Sequence, residues 1–262
     1  MFGTFKENVI HEVLSKEDYN EICKLPVELA LRKAYNILSE NVPDILLRLG
    51  HNTRQHSMRV ATMVCIVCAY IGYPREKLNE ITLGALLHDI GKIYIPKEIL
   101  HKKTALTHDE FEIIKTHPMR GLSLLMRTEY CTTEIANIIL YHHINYDGTG
   151  YPAHSVKIKE HVMLTHTADV YDAMCSERAY KYPIRRDAVR SYMLSQQGTI
   201  FSPDVLKIFL KVIPEYIKNE RLYNGINTCT VVTTGHSNDT TVNCCGTIIT
   251  VEEFFNAGRR HK

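Results

Sequence analysis

The sequence predicts an all-α helical bundle with a short N-terminal helical extension and a small β-rich extension at its C-terminal end. Three observations lead there. Apolar residues recur at three- and four-residue spacing from about Ser15 to Leu210, the period of helices that turn one face to a core. Helix signals punctuate that run: Ser15 with Asp18 and Thr107 with Glu110 have the form of a capping box. Pro203 follows Ser202 as a first helical residue follows its N-cap, and Pro43, Pro74 and Pro183 mark breaks or first turns. After about Tyr216 the text changes to TCTVVTTG and VNCCGTIITVEEF, rich in β-branched residues around the turn-forming HSNDT. The expected division is an extension over residues 1–50, a main domain over 51–218 and a β extension over 219–262.

Composition narrows the class. At 262 residues, 45% hydrophobic and 23% charged, the chain can bury one sizeable core, which excludes disorder, collagen and coiled coil. Its 31 Lys+Arg against 29 Asp+Glu leave a formal charge of +2, so no DNA or RNA polymer is expected as a partner and an anionic ligand has to be met by a local cluster. The longest uncharged stretch, Val60 to Pro74, is shorter than the roughly 20 residues that cross a bilayer, and it reads as a buried helix. MFGTFKENVIHEV lacks a continuous apolar core, so no signal peptide is expected and the protein is placed in the cytoplasm. Eight scattered cysteines then read as reduced thiols, with Cys65 and Cys68 as core packing and Cys244-Cys245 too isolated for a metal site.

Fourteen histidines are the excess that asks for an explanation. In ITLGALLHDIGK, His88 and Asp89 end an apolar helix and Gly91 breaks it. Neighbouring helical residues point about 100° apart, so this pair suits an imidazole on one ion and a carboxylate that bridges to a second. Lys92, one turn on, can neutralise a phosphate oxygen. His56 in HSMRV, His117 closing EFEIIKTH, His142 and His143 closing EIANIILYHH, and Asp169 inside MLTHTADVYDAM all lie at or near the ends of apolar helical segments, where a polar group needs a partner or a cleft. This mixed nitrogen and oxygen set suits iron, manganese or zinc and is too nitrogen-rich for calcium or magnesium. His11, His101, His108, His154, His161, His236 and His261 stand in charged or turn-like text and read as solvated; His51 and His166 fit either reading. HHINYDGTGYPAHSVKI, from His142 to Ile158, cannot be regular helix and reads as an ordered or functional loop.

HSMRV, ALLHDIGKIYIP, THPMRG, HHINYDGTGYP and ADVYDAMCSERAYKYP, in this order and spacing, resemble the HD-GYP domain, a subgroup of the HD phosphohydrolase superfamily, over about His51 to Tyr216. The resemblance implies an HD-domain helical bundle around a centre of iron or manganese, with residues 51–218 as a metal-dependent phosphohydrolase domain. It implies a cyclic di-GMP phosphodiesterase of bacterial second-messenger signalling, giving pGpG and onward GMP by attack of a hydroxide held between the metals. Carried over by position, it assigns His56, His88, Asp89, His117, His142, His143 and Asp169 as metal ligands, with Asp89 bridging. It assigns Lys92 to the scissile phosphate, Asp172, Arg178 and Lys181 to the guanine or phosphate groups, and Gly150, Tyr151 and Pro152 to a lip over the site. Asn52 stands where three-metal members carry Glu, so two divalent ions are expected; Ile144 and Ala179 also depart from the usual motifs. Two rival readings are a hydrolase of another cyclic dinucleotide such as cyclic GMP-AMP and a non-catalytic cyclic-dinucleotide-binding module. The helices before His51 are expected to cover the core or to serve a homodimer contact.

Overall fold

A computed structural model describes residues 12–102, 104–153, 157–176, 185–216, 241–244 and 247–250. Among these the helices are α1 (Lys16–Ile22), α2 (Val27–Glu40), α3 (His51–Tyr70), α4 (Arg75–Leu87), α5 (Lys97–Leu100), α6 (His108–Ile114), α7 (His117–Leu125), α8 (Thr133–Tyr141), α9 (Glu160–Cys175), α10 (Arg186–Ser195) and α11 (Pro203–Tyr216). Short 3-10 turns lie at Asp44–Arg48 and Ile90–Tyr94. The all-α expectation holds. In the expected β extension, β1 (Thr241–Cys244) and β2 (Thr247–Thr250) pair antiparallel, Thr241 opposite Thr250; the other residues of 219–262 lie outside the described ones.

The uncharged stretch in the sequence becomes the axis of the bundle. From His56 to Cys68 every residue of α3 except Arg59 is buried, because α2, α4, α9 and α11 all pack around it. A helix apolar on all sides is stable only at such a centre. Its end is set by the Tyr73 N–H donating to Cys68 O (3.0 Å) and the Gly72 N–H to Ala69 O (3.1 Å), a Schellman closure. That closure needs the left-handed φ of +79° that Gly72 adopts. Pro74 then opens α4 antiparallel to α3. Both capping pairs read from the sequence cap their helices: Ser15 accepts from the Asp18 N–H, and Thr107 with Glu110 forms a complete box over α6.

Two packing features fix the ends that matter later. Asn79, buried in α4, accepts from the Leu14 N–H (2.8 Å) and donates to Leu14 O (3.1 Å), tying the segment before α1 to the bundle, and Leu31 and Leu38 of α2 are in the same core as α3. After α4 the chain turns at Asp89 into the 3-10 turn, against which α7 lies flat. A Cβ on Gly91 would stand 1.9 Å from His117 O and 2.5 Å from the Gly121 N, so only glycine admits this approach. His117 therefore opens α7 as its first residue, with Pro118 second, instead of closing the helix before it as the run EFEIIKTH suggests.

Gly91→Ala is expected to cost on the order of 3 kcal/mol, since backbone on both sides would have to move. Gly50→Ala, whose Cβ meets nothing within 4 Å, is expected to cost under about 1 kcal/mol. Thermal melts followed by circular dichroism compare the two; equal melting temperatures would contradict the packing account.

Candidate metal centre

Five histidines and two aspartates scattered over 114 positions of the sequence, from His56 to Asp169, are brought to one buried place by five helices. His56 comes from the second turn of α3, His88 from the C-cap of α4 with Asp89 beside it, His117 from the start of α7, His142 and His143 from the end of α8, and Asp169 from the middle of α9. Their donor atoms fall into two groups, each within 4.8 Å: His56, His88 and Asp169 in one, Asp89, His117, His142 and His143 in the other. All seven residues singled out from the sequence are thus brought together.

Asp89 links the two groups. Its Oδ2 lies 3.5 Å from His88 Nε2 and 3.8 Å from His56 Nε2, while its Oδ1 lies 3.4 Å from His117 Nε2 and 4.0 Å from His142 Nε2. Asp169 meets the first group through Oδ1, 2.9 Å from His56 Nε2, and turns Oδ2 towards His143 Nδ1 at 4.0 Å. The helix ends decide which imidazole nitrogen faces inward. Nδ1 of His88 donates to Ala85 O (2.7 Å), that of His117 to Ile114 O (2.8 Å) and that of His142 to Ile139 O (2.9 Å). A carbonyl can only accept, so each Nδ1 carries the proton and each neutral ring presents a bare Nε2 lone pair to the centre.

These atoms fit a cation and fit little else. Nε2 of His117 and of His142 face each other at 3.2 Å, lone pair to lone pair, and His88 Nε2 and Asp89 Oδ1 are buried without a hydrogen-bond partner. Such atoms cost free energy unless a positive charge lies among them. An imidazole-rich set with two carboxylates is the donor chemistry of a transition-metal site.

Electrostatics inside the site follow from burial and charge. Burial would raise the carboxyl of Asp89, but the Lys92 ammonium outweighs it and holds the group well below the usual carboxylate range; for Asp169 the opposing group is chiefly His56. Burial pushes His88, His142 and His143 down and His117 down to about 4, which keeps them neutral, as metal ligands must be. His56 is the exception: burial lowers it, yet Asp169 and Asp172 on its two sides outweigh burial and raise it.

At the mouth, Lys92 Nζ lies 2.6 Å from Asp89 Oδ2 with a fifth of its side chain exposed. Tyr151 stacks on His143 with ring centroids 4.6 Å apart and meets Phe111 edge to face at 6.4 Å, so the lip lies directly on the site. A Cβ at Gly150, whose φ is +103°, would stand 2.2 Å from His143 O, so glycine is needed to bring the lip this close. Ile144 is fully buried and Asn52 is exposed. Arg178, Ala179 and Lys181 lie outside the described residues.

Three further residues gain their surroundings in the structure. Asp172, assigned by resemblance to the substrate, is buried with both carboxylate oxygens engaged: it accepts from His56 Nδ1 (2.7 Å) and from Arg59 Nε (2.7 Å) and Nη2 (2.8 Å). Three of its four lone-pair sites are thus taken by His56 and Arg59, and it stands behind His56. His161, read as solvated, is buried, its Nε2 2.8 Å from Glu134 Oε2; Glu134 also pairs with Lys77 (3.0 Å) and Lys159 (2.7 Å). His166, left open by the sequence, is buried and donates Nδ1–H to His142 O (2.8 Å), bracing the end of α8. Arg59 and His166 were accessible signals: they stand three residues from His56 and Asp169, on the same helical faces.

A helical bundle with a histidine-aspartate centre at its helix ends defines the class, and comparison with known proteins gives the family. Residues 36–205 match the HD domain family, and the chain belongs to it, in its HD-GYP group. The chain is 32% identical over 197 residues to the cyclic di-GMP phosphodiesterase response regulator RpfG of Xanthomonas campestris, covering 71% of this chain and 52% of that protein. It is 37% identical over 167 residues to a cyclic di-GMP phosphodiesterase of Thermotoga maritima, covering 62% and 45%. The chain thus spans about half the length of the curated relatives it matches. Among solved structures, Bd1817, a HDG"Y"P protein from Bdellovibrio bacteriovorus, has the same fold, with a TM-score of 0.52 at 19% identity over 75% of this chain and 68% of that one.

Acid should weaken the metal-free protein. His88, His117, His142, His143, His161 and His166 all have folded pKa values below 6.5, so the unfolded chain takes up protons first as pH falls and stability is lost from about pH 6.5 downward. His117 and His161, both held at about 4, lose their contribution progressively between pH 6.5 and 4, on the order of 3 kcal/mol for His117. His56 alone opposes them, its contribution being full below pH 6.5 and lost as pH rises through its raised value. Calorimetry of chelator-treated protein is expected to give a melting temperature that falls steadily from pH 7 to pH 5. A constant or rising value would contradict the neutral-imidazole account.

Proposed function

We propose that this chain is a metal-dependent phosphodiesterase that hydrolyses cyclic di-GMP to pGpG and onward to GMP, with His56, His88 and Asp169 holding one divalent ion and His117, His142 and His143 holding a second across Asp89. The observation that carries the reading is the division of Asp89, one oxygen towards each group of imidazoles. The names of the relatives, cyclic di-GMP phosphodiesterases, supply the substrate. Iron is the first choice of ion and manganese the next, both at home with imidazole and carboxylate. Two such ions, when bound, supply an activated water at neutral pH and positive charge for the phosphoryl oxygens.

The rest falls to the chain. A phosphodiester is anionic, and Lys92 at the mouth is the cation that can leave Asp89 for a non-bridging phosphate oxygen once Asp89 has other positive partners. Tyr151, flat on His143, limits the water that reaches the reacting atoms and offers a face to the substrate. Arg178 and Lys181 are assigned to the guanine or phosphate groups by position in the motif. We assign the catalytic unit to residues 51–218, with 1–50 as a helical extension and 219–262 as a β-rich one. A cytoplasmic setting is our reading as well. Burial pushes the Cys65 thiol up to about 12, consistent with an inert reduced core residue. Among the described residues no helix is long and apolar enough to cross a membrane.

The test is to incubate manganese- or iron-loaded protein separately with cyclic di-GMP and cyclic GMP-AMP and to resolve products by chromatography. Cyclic di-GMP is expected to give pGpG and then GMP, with turnover abolished by chelation and restored by the ion. His88→Ala with Asp89→Ala is expected to lower turnover by about a thousandfold or more with the helical dichroism retained. Product from cyclic GMP-AMP alone would move the substrate assignment, and tight binding without product would favour a binding module.

A further inference from the structure

The imidazoles of the centre are supported in two different ways. His88, His117 and His142 are oriented by main-chain carbonyls at helix ends, at 2.7–2.9 Å, so their aim is fixed by the fold itself. His56 has no such carbonyl. Its Nδ1 is held by Asp172 Oδ2 at 2.7 Å, and Asp172 is held in turn by a two-pronged contact from Arg59, Nε to Oδ1 at 2.7 Å and Nη2 to Oδ2 at 2.8 Å. The pairs repeat at matching intervals: His56 and Arg59 are three residues apart on α3, Asp169 and Asp172 three residues apart on α9. Two facing helices therefore form a ladder in which one rung reaches the centre and the next orients it.

We propose that Arg59 and Asp172 are positioning residues for the ion held by His56, His88 and Asp169, and that this ion depends on them while its neighbour does not; the inference rests on the metal reading of the site given above. Three facts support it. Asp172 is almost fully buried, so its charge needs Arg59 and His56 as partners. A fork of two N–H groups on a carboxylate fixes the orientation of that carboxylate and not only its position. A carboxylate on Nδ1 fixes which nitrogen is bare and raises the basicity of the ligating one, and loss of such a partner typically costs 10- to 100-fold in metal affinity. In the second group His117 and His142 have their Nδ1 atoms on main-chain carbonyls, which no side-chain substitution removes.

Manganese titration of the full chain, followed by electron paramagnetic resonance of free and bound Mn2+, reads each ion separately. Wild-type protein is expected to bind two ions with a spin-coupled signal. Asp172→Ala is expected to bind one ion with wild-type affinity and the second at least tenfold more weakly, with an uncoupled six-line spectrum at one equivalent. Arg59→Met is expected to move the same site in the same direction, and Arg59→Lys, which keeps the charge without the fork, to recover part of the loss. Met174→Ala, a cavity in the same helix away from the ladder, separates support from general softening: it is expected to lower the melting temperature and keep both ions. Two tight coupled ions in Asp172→Ala and Arg59→Met, or equal weakening of both, would overturn the inference. If Asp172→Ala does not fold, the Arg59 pair decides it by the same readout. Failure of wild-type protein to bind any ion would overturn the metal reading itself.

Discussion

A carboxylate that is 1% exposed must be given positive charge where it lies, and at Asp89 that requirement organises everything around it. Lys92 meets it from the mouth, and His88, His117 and His142 turn bare nitrogens towards it, a set that calls for a cation. Those nitrogens are bare because all three rings spend their Nδ1 protons on main-chain carbonyls at helix ends. Helix ends leave carbonyls without partners in any case, so a histidine that turns back on its own last turn satisfies the end of the helix and selects its own tautomer in one contact. The bundle's habit of stopping its helices at one place thus becomes the chemistry of that place.

Packing serves the same end. From Val60 to Cys68 α3 is buried all round as the axis of the bundle, and where it nears the centre it carries His56 and Arg59. The flat approach of α7 on the turn after Asp89 places His117, and it is possible because Gly91 and Gly121 offer no side chains between the two backbones. At the opposite edge Glu134, held down to about 2 by Lys159, Lys77 and His161 against the opposing effect of burial, ties α4, α8 and α9 together. α8 is the helix that ends in His142 and His143, so this charge cluster holds the far end of an element whose near end carries two imidazoles of the centre.

Much of this was legible in the sequence, and what was not has a common cause. Periodicity and capping pairs are local, and Ser15, Thr107 and the apolar run before His88 all do in three dimensions what they suggest in one. The seven donors were legible because each interrupts an apolar segment, which is a local signal of a polar group going into a core. The partners of Asp172 and the burial of His161 were not legible because they depend on other segments: Arg59 lies 113 residues from Asp172, and the Glu134 that meets His161 belongs to the preceding helix. The charged text around His161 suggested solvent, although here the charges are the means of burial. Asp172 carried its own signal, since His166, Asp169 and Asp172 share a three-residue spacing and hence one face of α9.

The central claim is that Asp89 bridges two ions and does not chelate one. Anomalous diffraction at the manganese edge from crystals of the metal-loaded chain tests it most directly. The account predicts two peaks roughly 3.5–4 Å apart, as in other paired-metal sites, one against His56, His88 and Asp169 and one against His117, His142 and His143, with one oxygen of Asp89 on each. A single peak, or both oxygens of Asp89 on the same ion, would contradict it.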